Sequence, residues 1–251
     1  MCQPRVAPRG AFVPSGIGGI SAAMRDLPRR SDLSSQGRTG TRTNFQIDKG
    51  TNCAFPYVVN RLSRWCRTWG ATNDELTRAM LGDTQVTLPS YETTLGVTIN
   101  AAPAAIWPWL MQMGYRRGGL YSYDSLDRLF GYLDAPSAEC ILPEWQSLAV
   151  GDEIPVGQGG GFPVKAIEPF RSLVLGGQAT GVEWSWEFAL VPIGVGRTRL
   201  LSRNRVWMPR CVRAWVLMLV LEPSAFLMTR KMLLGIKRRA EAMARVERRV
   251  A

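Results

Sequence analysis

The 251-residue chain contains no histidine. That excludes His-based triads, Cys–His nucleophile pairs and every His-ligated zinc site in one step. Cysteine is sparse and unpatterned: Cys2, Cys53, Cys66, Cys140 and Cys211 include no CxxC pair. Such a set reads as reduced thiols in a cytoplasmic protein, with Cys140 and Cys211 as small buried residues and not nucleophiles. Long apolar runs are missing as well. In the most apolar region, 211–236, the longest uncharged stretch before Glu222 is the eight residues 214–221, where about twenty are needed to span a bilayer. Pro223, Arg230 and Lys231 interrupt the rest, so no transmembrane segment is expected. No motif implies a metal or nucleotide cofactor. GQGGGF at 157–162 lacks the Lys-Ser/Thr of a phosphate loop and leads into no helix, which makes it a hairpin or lid at the edge of a cavity.

What the chain has is charge, unevenly spread. Of a formal net charge of +11, residues 1–70 carry +8 and residues 226–251 carry +6, so the middle is mildly acidic at −3. A nucleic-acid reading wants a basic stripe on the folded body, and this distribution argues against one. The C-terminal run KRRAEAMARVERR is a solvated helix face or a weak peripheral contact with anionic lipid. Residues 1–55 are rich in Gly, Pro, Ser, Arg and Thr and have no sustained apolar period, the composition of a disordered tail. Arg-rich and acid-poor, the segment has the composition of an organellar transit peptide; the alternatives are a flexible tail or a stretch upstream of the true start codon.

Order is expected from about residue 56 to 251, beginning with a helical extension at 57–82. There Val58, Leu62, Trp65 and Trp69 share a helical face ended by Gly70, and Thr72–Glu75 caps a second helix, ELTRAML, stopped by Gly82. The stretch 93–124 follows as a strand with Leu95, Val97 and Ile99 on one face, then a helix opened by Pro103 and bent at Pro108. Ser122 is expected to cap a short helix whose apolar side carries Tyr123, Leu126, Leu129 and Phe130. Residues 134–150 read as loop. Five short segments between 151 and 208, each bounded by Gly or Pro, predict an antiparallel meander. In one of them Val182, Trp184, Trp186, Phe188 and Leu190 alternate with Glu183, Ser185 and Glu187. In the next, Thr198, Leu200, Ser202, Asn204 and Val206 point inward, while Arg197, Arg199, Arg203 and Arg205 point the other way, Arg203 and Arg205 as a solvated face. A long amphipathic helix is expected after Pro223, with Ala225, Thr229, Met232, Ile236, Ala240 and Met243 on its apolar stripe.

Strand, two short helices, antiparallel meander and one long C-terminal helix is an α+β order of the helix-grip type: a curved antiparallel sheet wrapped around the last helix. On INAAPAAIWPWLMQMGY, GLYSYDSLD, LAVGDEIPV and EPSAFLMTRKMLLGIKRRAE, the region from about Trp69 to Glu241 resembles the START/Bet v 1-like (SRPBCC) superfamily, in an uncharacterised bacterial branch. The resemblance implies a pocket for an apolar small molecule, in a superfamily that includes lipid carriers and polyketide cyclases. It does not imply one activity.

The candidate pocket wall is Trp107 and Trp109 on the first helix, Trp184, Trp186 and Phe188 on the central strand, and Met228, Met232 and Ile236 on the last helix. The same spacing serves a packed core equally well. Tyr121, Tyr123, Asp124 and Asp127 form a polar group near the expected opening; Tyr121, Tyr123 and Asp124 are candidates for ligand binding or for acid–base work without histidine. The alternative is that Asp124 and Asp127 stabilise a helix N-terminus. Ser202 and Asn204, inward among apolar neighbours, must be satisfied either by the fold or by a ligand. Three function classes follow: a binder or carrier of a hydrophobic small molecule of lipid or polyketide type, a cyclase- or dehydratase-like enzyme built on Tyr and Asp, and an interaction module using the basic ends.

Overall fold

The computed structural model describes residues 61–179, 181–208 and 212–250. The tail and transit-peptide expectations for residues 1–55, and Val58, lie outside the described residues. Two short helices, α1 (Arg61–Thr68) and α2 (Asn73–Thr77), precede strand β1 (Tyr91–Ile99). Helices α3 (Pro103–Met111) and α4 (Asp124–Leu129) follow, then β2 (Glu153–Pro155), β3 (Gly161–Glu168), β4 (Ser172–Ala179), β5 (Val182–Gly194) and β6 (Arg197–Trp207), and finally α5 (Val212–Val250).

The strands form one six-stranded antiparallel sheet in the order β1-β6-β5-β4-β3-β2. Strands β2 to β6 are a meander, and β1 pairs with the last of them, Leu95 opposite Ser202 and Val97 opposite Leu200. The connection from β1 to β2 therefore has to cross the sheet. It carries α3 and α4 with it. The GQGGGF segment is the β2–β3 hairpin, closed by Val156 N–H donating to the Gly160 carbonyl at 2.9 Å.

The inner face is set by alternation, as expected. Leu95, Ile99, Leu173, Leu175, Phe188, Leu190 and Leu200 are all almost fully buried and pack with α3 and with Met232, Leu233, Ile236 and Ala240 of α5 in one core. This is the helix-grip arrangement. Pro108 lies inside α3, as read. The last helix differs from its expectation: it begins at Val212, with Pro223 inside it. Proline removes one donor and bends a helix without having to start one. The Glu222 carboxylate, one residue earlier, takes a hydrogen bond from Ser63 Oγ (2.8 Å) and two from Arg67 (2.7 and 2.8 Å), fastening α1 to α5.

The outer face departs most from the sequence reading. Arg203 and Arg205 of β6 were expected in solvent, yet Arg203 is 3% exposed. Residues 72–86 lie across this face as a strap. Arg203 donates to the carbonyls of Glu75 (2.7 Å), Leu76 (3.2 Å) and Arg78 (2.8 Å) and to Asp83 Oδ2 (3.0 Å). Arg199 grips Glu75 through both carboxylate oxygens at 2.7 Å, and Arg205 reaches Asp83 at 3.1 Å. From β5, the buried Glu187 accepts from Gly82 N–H and from Ser172 Oγ, each at 2.7 Å. The strap needs this geometry, so the second helix is shorter than expected, Asn73–Thr77, with Gly82 in a separate 3-10 turn, Leu81–Thr84. Its cap is the Thr72–Glu75 capping box anticipated from the sequence.

Two smaller expectations also fail. Leu126 and Leu129 of α4 and Phe130 just after it are 43%, 76% and 55% exposed, so the apolar side faces outward. What turns inward is Asp127, fully buried, its Oδ2 accepting from Ser122 Oγ at 2.8 Å; Tyr123, not Ser122, holds the cap position. Cysteine reduction fails at Cys140, which is disulfide-bonded, its partner outside the described residues; Cys66 is free. An odd count forbids pairing every cysteine, not pairing two. No helix among the described residues is long and apolar enough to cross a membrane.

Candidate functional site

The loop after α3 is where sequence and fold make something unusual. Gly114 and Gly119 bridge each other, and Arg116 and Tyr121 both adopt left-handed backbone, each at φ 57°. A non-glycine residue held there costs free energy and persists only where its surroundings over-determine it. Here they do. Tyr121 N–H donates to Ser137 Oγ (3.0 Å), and that hydroxyl donates to Asp124 Oδ1 (2.6 Å), while Ser137 N–H donates to Asp124 Oδ2 (2.8 Å). Both oxygens of Asp124 are thus engaged in fixing the Tyr121 turn against the 134–142 loop.

Helix α5 crosses this turn at Gly235. A Cβ there would lie 2.3 Å from the Tyr121 carbonyl oxygen, so only glycine permits the approach. One turn on, the buried Arg239 stacks over the Tyr121 ring at 4.9 Å. It donates to the carbonyls of Ala138 (2.8 Å) and Gly235 (3.2 Å) and to Glu139 Oε1 (2.6 Å). Arg238, on the solvent side, donates to the same Glu139 oxygen at 2.6 Å. Lys231 lies 5.5 Å from the Tyr123 ring centre.

Between these elements opens a cleft of about 560 Å³, lined on one side by the 121–125 turn and on the other by Lys231, Leu234, Gly235, Arg238 and Arg239, with Glu139 at its edge. It holds three cations against Asp124, committed to Ser137, and Glu139. Burial pulls the Arg239 guanidinium down from its ordinary value, and Glu139 opposes this. Burial pushes the neighbouring Asp127 carboxyl up, Ser122 works against that and Asp124 adds to it.

The cleft brings together Tyr121, Tyr123 and Asp124 of the candidate residues. The others lie deeper or elsewhere. Trp109 is buried edge-on to Tyr121 at 6.0 Å, directly beneath the cleft, among the core residues that include Met232 and Ile236. Trp186 and Phe188 are buried at 4.8 Å from each other, and Trp184 is half-buried against Phe162 at 5.3 Å. Trp107 faces Phe170 of the β3–β4 turn at 5.9 Å, away from the cleft. Met228 and Asn204 are half-buried. Ser202 is satisfied by the fold: it accepts from Trp186 Nε1 at 2.8 Å. The residues that sequence reasoning missed are Glu139, Ser137, Gly235 and Arg239. Arg239 carried a signal. It sits three residues after Ile236 and seven after Met232, an arginine on the apolar stripe.

No family model matches the chain, and no curated protein matches its sequence. Solved structures resemble it at low level. Protein MLL2253 from Mesorhizobium loti is 17% identical over 61% of this chain and 98% of its own, with a TM-score of 0.38. CalU16 from Micromonospora echinospora is 15% identical over 61% and 85%, with a TM-score of 0.30. The Aha1 dimer from Colwellia psychrerythraea is 19% identical over 59% and 98%, with a TM-score of 0.33. At such scores nothing about activity transfers from them, and the fold stands on its own topology.

Proposed function

We propose that the protein binds a small, largely hydrophobic molecule with a polar end, of lipid or polyketide type, seated where helix α5 crosses the Tyr121 turn. The observation that carries this reading is the cleft itself. Its volume of about 560 Å³ lies within the roughly 300–1,000 Å³ of small-molecule sites. Its floor is fixed by Gly235, Arg239 and the Asp124–Ser137 pair, so the site is pre-formed. An apolar body would lie over Leu234, the aliphatic residue of the cleft wall, with half-exposed Leu227 seven residues earlier on the same helix.

The sheet–helix interface, where the sequence placed the pocket wall, contributes the rigid backing in this reading. Trp109, Phe188, Met232 and Ile236 are packed against one another there. An enzymatic reading narrows to the two tyrosines, Tyr121 and Tyr123, since both Asp124 oxygens accept from Ser137. The test is native mass spectrometry of the protein isolated from its own host, beside a Ser125→Trp variant that fills the cleft from an exposed position. Extra mass on the natural protein and none on the variant supports the reading. Equal extra mass on both, or none on either, overturns it.

A further inference from the structure

We propose that the ligand's polar end is an anion, a carboxylate or a phosphate, which takes the place of the Glu139 carboxylate at Arg238 and Arg239. The inference rests on the cleft being the binding site and names what it binds. Its starting point is an imbalance of exposure. The Arg239 side chain is 6% exposed, whereas the Glu139 side chain that neutralises it is 64% exposed, as is Arg238 at 65%. A desolvated guanidinium needs an anion beside it. The Glu139 carboxylate keeps its contact with water on an exposed loop, so a ligand anion can exchange with it without uncovering the guanidinium. The cation is therefore fixed and its counter-ion replaceable.

The geometry of the two arginines fits a ligand oxygen as well as it fits Glu139. Both reach a single carboxylate oxygen, Oε1, at 2.6 Å. Arg239 cannot swing to follow Glu139, because its Nε is held by the Ala138 carbonyl, its Nη1 by Gly235, and its plane by the Tyr121 ring. A planar guanidinium presented in this way matches carboxylate and phosphate oxygens. Lys231 stands two turns earlier, about 10 Å along the helix, and Leu234 lies between. An anion lodged at Arg238 and Arg239 would leave its apolar body lying over Leu234 toward Lys231. Glu139 acts as a built-in competitor that keeps the buried Arg239 paired when the cleft is empty.

The experiment is calorimetric titration of the full chain, of Glu139→Gln and of Arg238→Gln with four probes: decanoate, decyl phosphate, decan-1-ol and inorganic phosphate. Removing the competitor should tighten both anionic amphiphiles about tenfold, and Arg238→Gln should weaken them by a similar factor, while decan-1-ol stays the weakest ten-carbon probe in every protein. Decanoate binding more tightly than decyl phosphate assigns the natural group to a carboxylate, and the reverse order to a phosphate ester. Inorganic phosphate displacing decanoate at equal concentration supports the anion site and assigns it to free phosphate. Thermal melting checks that Glu139→Gln folds, and exposed Arg238 supplies the independent variant if it does not. Equal affinity for decanoate and decan-1-ol, unmoved by either substitution, overturns the anion and leaves the cleft as a site. No binding by any ten-carbon probe to any of the three proteins overturns both.

Discussion

The indole Nε1 of Trp186 donates to Ser202 Oγ at 2.8 Å across neighbouring strands, both residues buried. The polar residue aimed at the helix is thereby answered from its own sheet. Removing either partner strands the other, and a buried unsatisfied group costs about 1–3 kcal/mol. Trp186→Phe and Ser202→Ala should each destabilise by more than their lost area implies. In a double-mutant cycle followed by urea unfolding, the pair should show a coupling of about 1 kcal/mol. A coupling near zero would mean that the bond contributes nothing.

Arg203 should be a principal fastener of the strap. Arg203→Ala leaves three carbonyls of the strap without this donor and takes from Asp83 one of its two arginines. Breaking a buried charged contact of this kind costs about 3–5 kcal/mol. Arg197→Ala, on the same strand but exposed, should fall within about 0.5 kcal/mol of the parent. Parallel urea unfolding curves check both.

Two carboxylates, one in the strap and one beneath it, should pull the pH dependence of stability in opposite directions. Burial raises Glu187 above the ordinary 4.5, even though Ser172 and the Gly82 N–H work against it. The folded state then holds that proton more tightly than the unfolded chain, so stability falls as pH rises from 4.5 through the folded value. For Glu75 burial also acts upward, but Arg199 and Thr72 outweigh it and hold the group below 4.5. Its contribution is complete above 4.5 and is lost as pH falls through the lower, folded value. Unfolding measured from acid to neutral pH should show Glu187→Gln gaining on the parent as pH rises. Glu75→Gln should lose ground over the same change.

Gly235→Ala should damage both fold and cleft. The added methyl would meet the Tyr121 carbonyl at 2.3 Å, and neither the helix backbone nor the pinned turn can yield cheaply. Overpacking of this kind costs about 1–3 kcal/mol. Thermal melting should register the loss. Decanoate affinity should fall with it, because the displaced turn is one wall of the site.

Much of this fold could be read in advance, and the misses share a cause. Val182 to Leu190 alternate so regularly that the inner face of β5 was unmistakable, and Gly and Pro between strands marked the meander. Alternation says which residues share a face, not what lies against it. Arg203 read as solvent-facing, and Glu187 only as opposite the apolar face, because a strap made of carbonyls, Asp83 and Gly82 leaves no apolar signature. Helix α4 was turned the wrong way for a related reason: its orientation follows Asp127, buried over Ser122, and not its leucines. The Tyr121–Asp124 group was legible as a polar cluster. Its partners come from other segments, Ser137 in the following loop and Gly235 and Arg239 on the last helix, and only Arg239 broke a pattern where it stood.

The most direct test of the account is amide shift mapping by NMR during titration with decanoate. Perturbations concentrated at 121–125 and 231–239 are the predicted result, with Phe162, Trp184 and Trp186 unmoved. Perturbations centred on those three aromatics, with the cleft silent, would contradict it and place the ligand between sheet and helix instead.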